Sequence, residues 1–135
     1  MRQVFSIRDC LYGYDLTVFV GTYDQMEAYI SRRWKVGRQP QKHFGGQHFF
    51  LMKPSGEAIA SVIHLPHWDC TVDETGTLMH EINHAAMKAL GAVGVGVTSD
   101  DHEAFCYYAQ YLFSEAFSAL CSEWKKCDKH ERSTK

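Results

Sequence analysis

Apolar positions along this chain repeat at two periods, and the change of period divides it. In the first half the pattern favours strands. Residues 15–20 (Asp-Leu-Thr-Val-Phe-Val) are rich in β-branched and aromatic side chains and predict a strand closed by Gly21; residues 4–7 predict a shorter edge strand. Thr22 followed by Gln25 resembles a capping box. Met26, Tyr29, Ile30 and Trp34 then continue at helical spacing, which predicts a helix over residues 23–35. Apolar runs at 47–53 and 57–65 flank the turn Pro54-Ser55-Gly56, a hairpin signal.

Beyond Pro66 the helical period takes over. Leu78, Ile82, Ala85, Ala86, Ala89 and Leu90 make one apolar side of a core helix, with Thr75 or Thr77 as the expected cap and Gly91 as the stop. After the glycine-rich link 91–97, the run Thr98-Ser99-Asp100-Asp101 opens a second helix, expected over 100–124. Phe105, Tyr108, Leu112, Phe113, Ala116 and Leu120 form its buried side. Strands followed by helices predict an α+β fold, a small twisted sheet packed on these two helices. With 135 residues the chain reads as one domain over 1–124 with a polar tail at 125–135.

Composition narrows the class of partner. At 45% hydrophobic and 22% charged the chain is globular rather than disordered, and a net charge of -2 gives no electrostatic case for nucleic acid or anionic membrane. No apolar run reaches membrane-spanning length and the first residues are too briefly apolar for a signal peptide, so a cytoplasmic location is expected. Five cysteines without a C-x-x-C predict free thiols rather than a disulfide framework or a thiolate knuckle; Cys70 stands nearest the first C-terminal helix. The glycines at 91–96 lack the G-x-G-x-x-G spacing of a nucleotide loop. The cations Arg32, Arg33, Lys35 and Arg38 suit a helix C-terminus, and His43 and His48, beside Gly45-Gly46, read as solvated histidines.

The chemistry concentrates in His80-Glu81-Ile82-Asn83-His84. Residues four apart share a helix face, so His80 and His84 can hold one metal ion, and two imidazoles suit Zn²⁺. Glu81 is turned about 100° from His80, which places it beside the metal's water as a general base. On an apolar helix the two histidines are expected in partly dry surroundings. A catalytic zinc takes three protein ligands. Glu103, 18 residues beyond His84, is the candidate for the third; Asp100, Asp101 and His102 compete with it.

Together His80, Glu81, His84 and Glu103 resemble the H-E-x-x-H-x18-E arrangement of the glutamate-zincin metallopeptidases, over roughly residues 75–111. Metzincins fit less well, because Met87 and Leu90 stand where that class has Gly and His. The resemblance implies a zincin-like fold, a zinc ion held by His80, His84 and Glu103, Glu81 as general base, and a peptide or protein substrate. It also implies that the strand before the metal helix, here 57–65, rims the cleft. Two departures stand out. Tyr107 occupies the place of a supporting aspartate, for which Asp100, Asp101 or Glu74 could substitute, and most of a second lobe is missing.

The expected function is zinc-dependent peptide hydrolysis. The oxyanion partner stays open among His64, His67, Tyr107, Tyr108 and Tyr111. A rival reading is a zinc-stabilised, non-cleaving binding or assembly protein, of a kind that could serve a viral or mobile-element particle. A third is metal-assisted hydrolysis of a non-peptide amide.

Overall fold

The structure is a computed structural model that describes residues 2–9, 11–42 and 45–133, with side chains described as far as Ser122. Its elements in chain order are β1 (Gln3–Ile7), β2 (Leu16–Val20), α1 (Tyr23–Trp34), β3 (Gln47–Met52), β4 (Ala58–Leu65), α2 (Val72–Ala92) and α3 (Glu103–Ser133). The class is α+β: one four-stranded sheet in the order β1-β2-β4-β3, with three helices. β1 runs antiparallel to β2, β2 parallel to β4, and β3 antiparallel to β4.

Both faces of the sheet are covered, which is why β2 is buried at every position and β4 at its last six. On one face Phe19, Phe49, Leu51 and Val62 pack against Met26 and Ile30 of α1. On the other, Leu16, Val18, Val20, Ile63 and Leu65 meet Leu78, Ile82, Ala85 and Ala89 of α2 and Leu112, Ala116 and Leu120 of α3. Ile82 is fully buried there, and truncating such a side chain to alanine costs about 2–5 kcal/mol.

Helix starts follow local side-chain chemistry. Thr22 and Gln25 form the anticipated reciprocal capping box of α1. α2 begins earlier than expected, because Thr71 and Glu74 make a second capping box and leave Thr75 and Thr77 inside the helix. α3 opens at Glu103 rather than 100, since Thr98 Oγ1 accepts from the Asp101 N–H and holds a turn ahead of it. It also runs to Ser133, past the expected end at Trp124, because the polar sequence there holds no glycine or proline to stop a helix.

The hairpin β3–β4 is present, but the strand at the sheet edge is β3. β4, expected as the rim strand, lies between β2 and β3. Its parallel pairing with β2 uses up its second edge, a contact made across more than 40 residues of chain that no local pattern reveals.

Candidate metal and hydrolytic site

α2 runs beneath the β3 edge and presents a row of residues four apart: Gly76, His80, His84 and Lys88. With Glu81 and Thr77 they floor an open cleft of about 610 Å³. Its wall is the start of β3, Gln47 and His48, together with Gly45, Gly46 and Lys42 of the preceding loop.

Gly46 sets how closely that wall approaches α2. A Cβ built there would lie 2.6 Å from Thr77 Cγ2, and a β-branched side chain on a helix has little freedom to withdraw. The contact falls one turn before His80 and Glu81, so the width of the cleft depends on a glycine at this position.

His80 and His84 point at each other, Nε2 to Nε2 at 3.1 Å and ring centroids 4.8 Å apart. Neighbouring donors on a tetrahedral zinc with bonds of 2.0–2.1 Å lie about 3.3–3.4 Å apart. The pair therefore fits one shared Zn²⁺ with little adjustment. Both histidines are exposed, against the expectation of dry surroundings, because their row faces the cleft rather than the core.

Glu81 is the buried member of the motif, only 6% exposed. Its quarter-turn offset from His80 carries it under the cleft toward the sheet. Among the described residues no hydrogen bond or ion pair engages its carboxylate. Glu81 lines the open cleft, so its carboxylate is left to groups that enter from there.

Glu103 is not brought together with the histidine pair. It lies on the exposed first turn of α3, more than a turn ahead of Tyr108, the first fully buried contact of that helix, and outside the cleft lining. Among the described residues, the one group of three or more His, Cys, Asp or Glu with ligand atoms mutually within 4.8 Å is His67, Asp69 and Glu74. Glu74 of that group already belongs to the capping box of α2. Glu74 accepts from the backbone N–H of Asp69 at 2.7 Å and of Thr71 at 3.1 Å, and pairs with His67 Nδ1 at 2.6 Å.

The oxyanion candidates are redistributed. His64 faces the α1 side of the sheet, where Nε2 meets the Gly21 carbonyl at 2.7 Å, so the sheet separates it from the cleft. His67 caps α2. Tyr108 donates to Asp9 and Tyr111 to the Arg8 carbonyl, both away from the cleft. Tyr107 is exposed and outside the lining. Cys70 packs on the α2–α3 core with its sulfur 3.7 Å from that of Cys121, and is no part of the site.

The residue the sequence reading passed over is His48. It lies on the α2 face of β3, and its Nε2 meets Ser61 Oγ at 3.1 Å. Burial, reinforced by the charges of His84 and Lys88, pushes its pKa down to about 3, so the ring is neutral near pH 7. The signal was the alternation of β3: Phe49 and Leu51 face α1, which sends residue 48 to the opposite face. His43 falls outside the described residues.

Comparison with protein-family models, with curated proteins and with solved structures returns no match. The functional reading rests on the geometry of the cleft. Among the described residues no helix is long and apolar enough to cross a membrane.

Proposed function

We propose that this chain is a zinc-dependent metallopeptidase of zincin-like design, with Glu81 as general base. The observation that carries the reading is one juxtaposition. A pair of imidazoles converges at 3.1 Å over an open cleft, beside a carboxylate that is buried and has no partner among the described residues.

His80 and His84 would hold the metal. The 18-residue spacing supports Glu103 as third ligand and its place on an exposed turn does not; a variant at that position decides. Bound zinc supplies Lewis-acid polarisation of a carbonyl and an acidified water. The protein's own residues do the rest. Glu81 takes a proton from the attacking water and returns it to the leaving amine. His48, neutral and across the cleft, can donate an N–H toward the developing oxyanion. β3 is the last strand of the sheet, and an extended substrate would add beside it as a further strand.

A purely structural zinc is the weaker reading. His80 and His84 belong to one helix whose apolar side is already buried, so a metal held by them alone would tie no two elements together.

Glu81→Gln tests the proposal. It keeps the shape of the side chain and removes the proton acceptor. The expected result is wild-type zinc content with hydrolysis of a peptide library lowered by about 10²- to 10⁴-fold. Equal activity of wild type and variant, or no cleavage by wild type across the library, would sink it.

A further inference from the structure

The cleft is electrostatically one-sided. Lys42 reaches it from the loop before β3 and Lys88 from α2, while Glu81 is the one acid among the described residues of its lining. Ion pairs among the described residues are Lys53–Glu57 and His67–Glu74, so neither cleft lysine is neutralised. Both ammonium groups are on exposed residues at the cleft mouth, close enough for the Lys88 charge to act on His48. Unpaired cations around a concavity concentrate anions there.

Their placement says where the anion sits. Lys88 continues the four-residue row one turn beyond His84, about 6 Å along the helix axis. An extended peptide lying along α2 advances about 3.3 Å per residue, and the midpoint of the histidine pair is about 9 Å from Lys88 along the axis, so a reacting carbonyl over the pair places Lys88 about two to three residues away.

We propose that the cleft selects an extended peptide carrying a carboxylate about two to three residues from the bond over His80 and His84, gripped by Lys88 from the helix and Lys42 from the facing loop. This deepens the peptidase reading and rests on it for the position of the reacting bond. The carboxylate is an acidic side chain or a free C-terminus; the recognition chemistry is the same for both.

Binding, rather than turnover, tests it. The probe is a set of fluorescent octapeptides in which each position in turn is Glu or its isostere Gln, made with free and with amidated C-termini. They are titrated into the full-length Glu81→Gln protein, with and without added zinc. The expected result is binding about 5-fold or more tighter for the carboxylate at one position, shrinking as salt is raised. Lys88→Gln should remove most of this advantage, Lys42→Gln part of it, and Lys53→Gln none. Preference for Glu in amidated peptides assigns the grip to a side chain; preference confined to free C-termini assigns it to the terminus, and either supports the proposal. Equal binding of Glu and Gln peptides regardless of terminus, or a preference that survives the Lys42→Gln/Lys88→Gln double variant, overturns it. A carboxylate preference alongside failure of the wild type to cleave any probe would instead overturn the peptidase reading and leave the anion site standing.

Discussion

Two acids in this molecule are buried to the same degree and treated in opposite ways. Asp9 is 5% exposed and Glu81 6%. The Asp9 carboxylate accepts from the backbone N–H groups of Leu11, Tyr12 and Tyr14 and from the Tyr108 hydroxyl at 2.7 Å. Burial alone would raise its pKa, but these hydrogen bonds outweigh burial and hold it below the ordinary value. The same contact and burial push the Tyr108 hydroxyl well above its usual range. Asp9 thus ties the loop after β1 to α3, a contact 99 residues apart in the chain. Glu81 has none of this. Its carboxylate meets the cleft instead of the backbone. Equal burial with unequal satisfaction separates a carboxylate that holds the fold from one that faces an open cleft.

The contrast can be broken most directly at Glu81. Besides the loss of hydrolysis set out above, Glu81→Gln should leave the urea midpoint at about the wild-type value, because the shape is kept and no hydrogen bond among the described residues is lost. A loss of more than about 1 kcal/mol would mean that the carboxylate has a structural partner after all.

Asp9→Ala should behave in the opposite sense. It leaves three backbone N–H groups and the Tyr108 hydroxyl without their acceptor, at an expected cost of about 2–3 kcal/mol, read by urea denaturation. Zinc content and activity of the folded fraction should hold. A stable Asp9→Ala protein with a damaged site would reverse the assignment of roles.

Glu103→Ala sharpens the site. If the spacing argument holds, zinc affinity falls by at least about 10-fold, the lower bound set by losing mere supporting partners of a metal ligand. Unchanged affinity leaves the histidine pair with a ligand other than Glu103, and the x18-E part of the resemblance lapses.

The smallest expected effect is in the pH dependence of stability. Burial lowers the His64 pKa despite its contact with the Gly21 carbonyl, so the folded state binds its proton less readily than the unfolded chain. That contribution is complete above the ordinary histidine value of 6.5 and lost as the pH falls toward the folded value. The Asp9 contribution, also from a lowered pKa, is complete above 3.8 and lost below it. Thermal midpoints should therefore be flat above about pH 7, decline below 6.5, and decline again below 4. His48, whose pKa is also lowered, contributes to the same first decline. His64→Gln, which can still donate to the Gly21 carbonyl, should therefore lessen the first decline and leave the second. An unchanged first decline would assign it to His48 alone.

Much of this architecture was legible before the fold. Short-range terms decide the strands at 3–7, 16–20, 47–52 and 58–65 and the three helices, because alternation, 3.6-residue spacing and the Thr22–Gln25 box act over a few residues of chain. The convergence of His80 and His84 is equally local, a consequence of four-residue spacing on one helix. The place of Glu81 beside the histidine pair was legible too, though not its burial.

What only the tertiary structure decided depends on contacts between distant parts of the chain. The parallel pairing of β2 with β4 makes β3 the edge strand, and so moves the cleft wall from the expected residues 57–65 to Gln47 and His48. The docking of α3 through Tyr108, Leu112, Ala116 and Leu120 leaves Glu103 on an exposed turn outside the cleft lining. The close approach of Gly46 to Thr77 brings a loop lysine opposite a helix lysine. Each is set by long-range packing of faces whose partners no local pattern names. The convergence of His80 and His84 follows from spacing along a single helix, while the lining of the cleft follows from how sheet and helix meet.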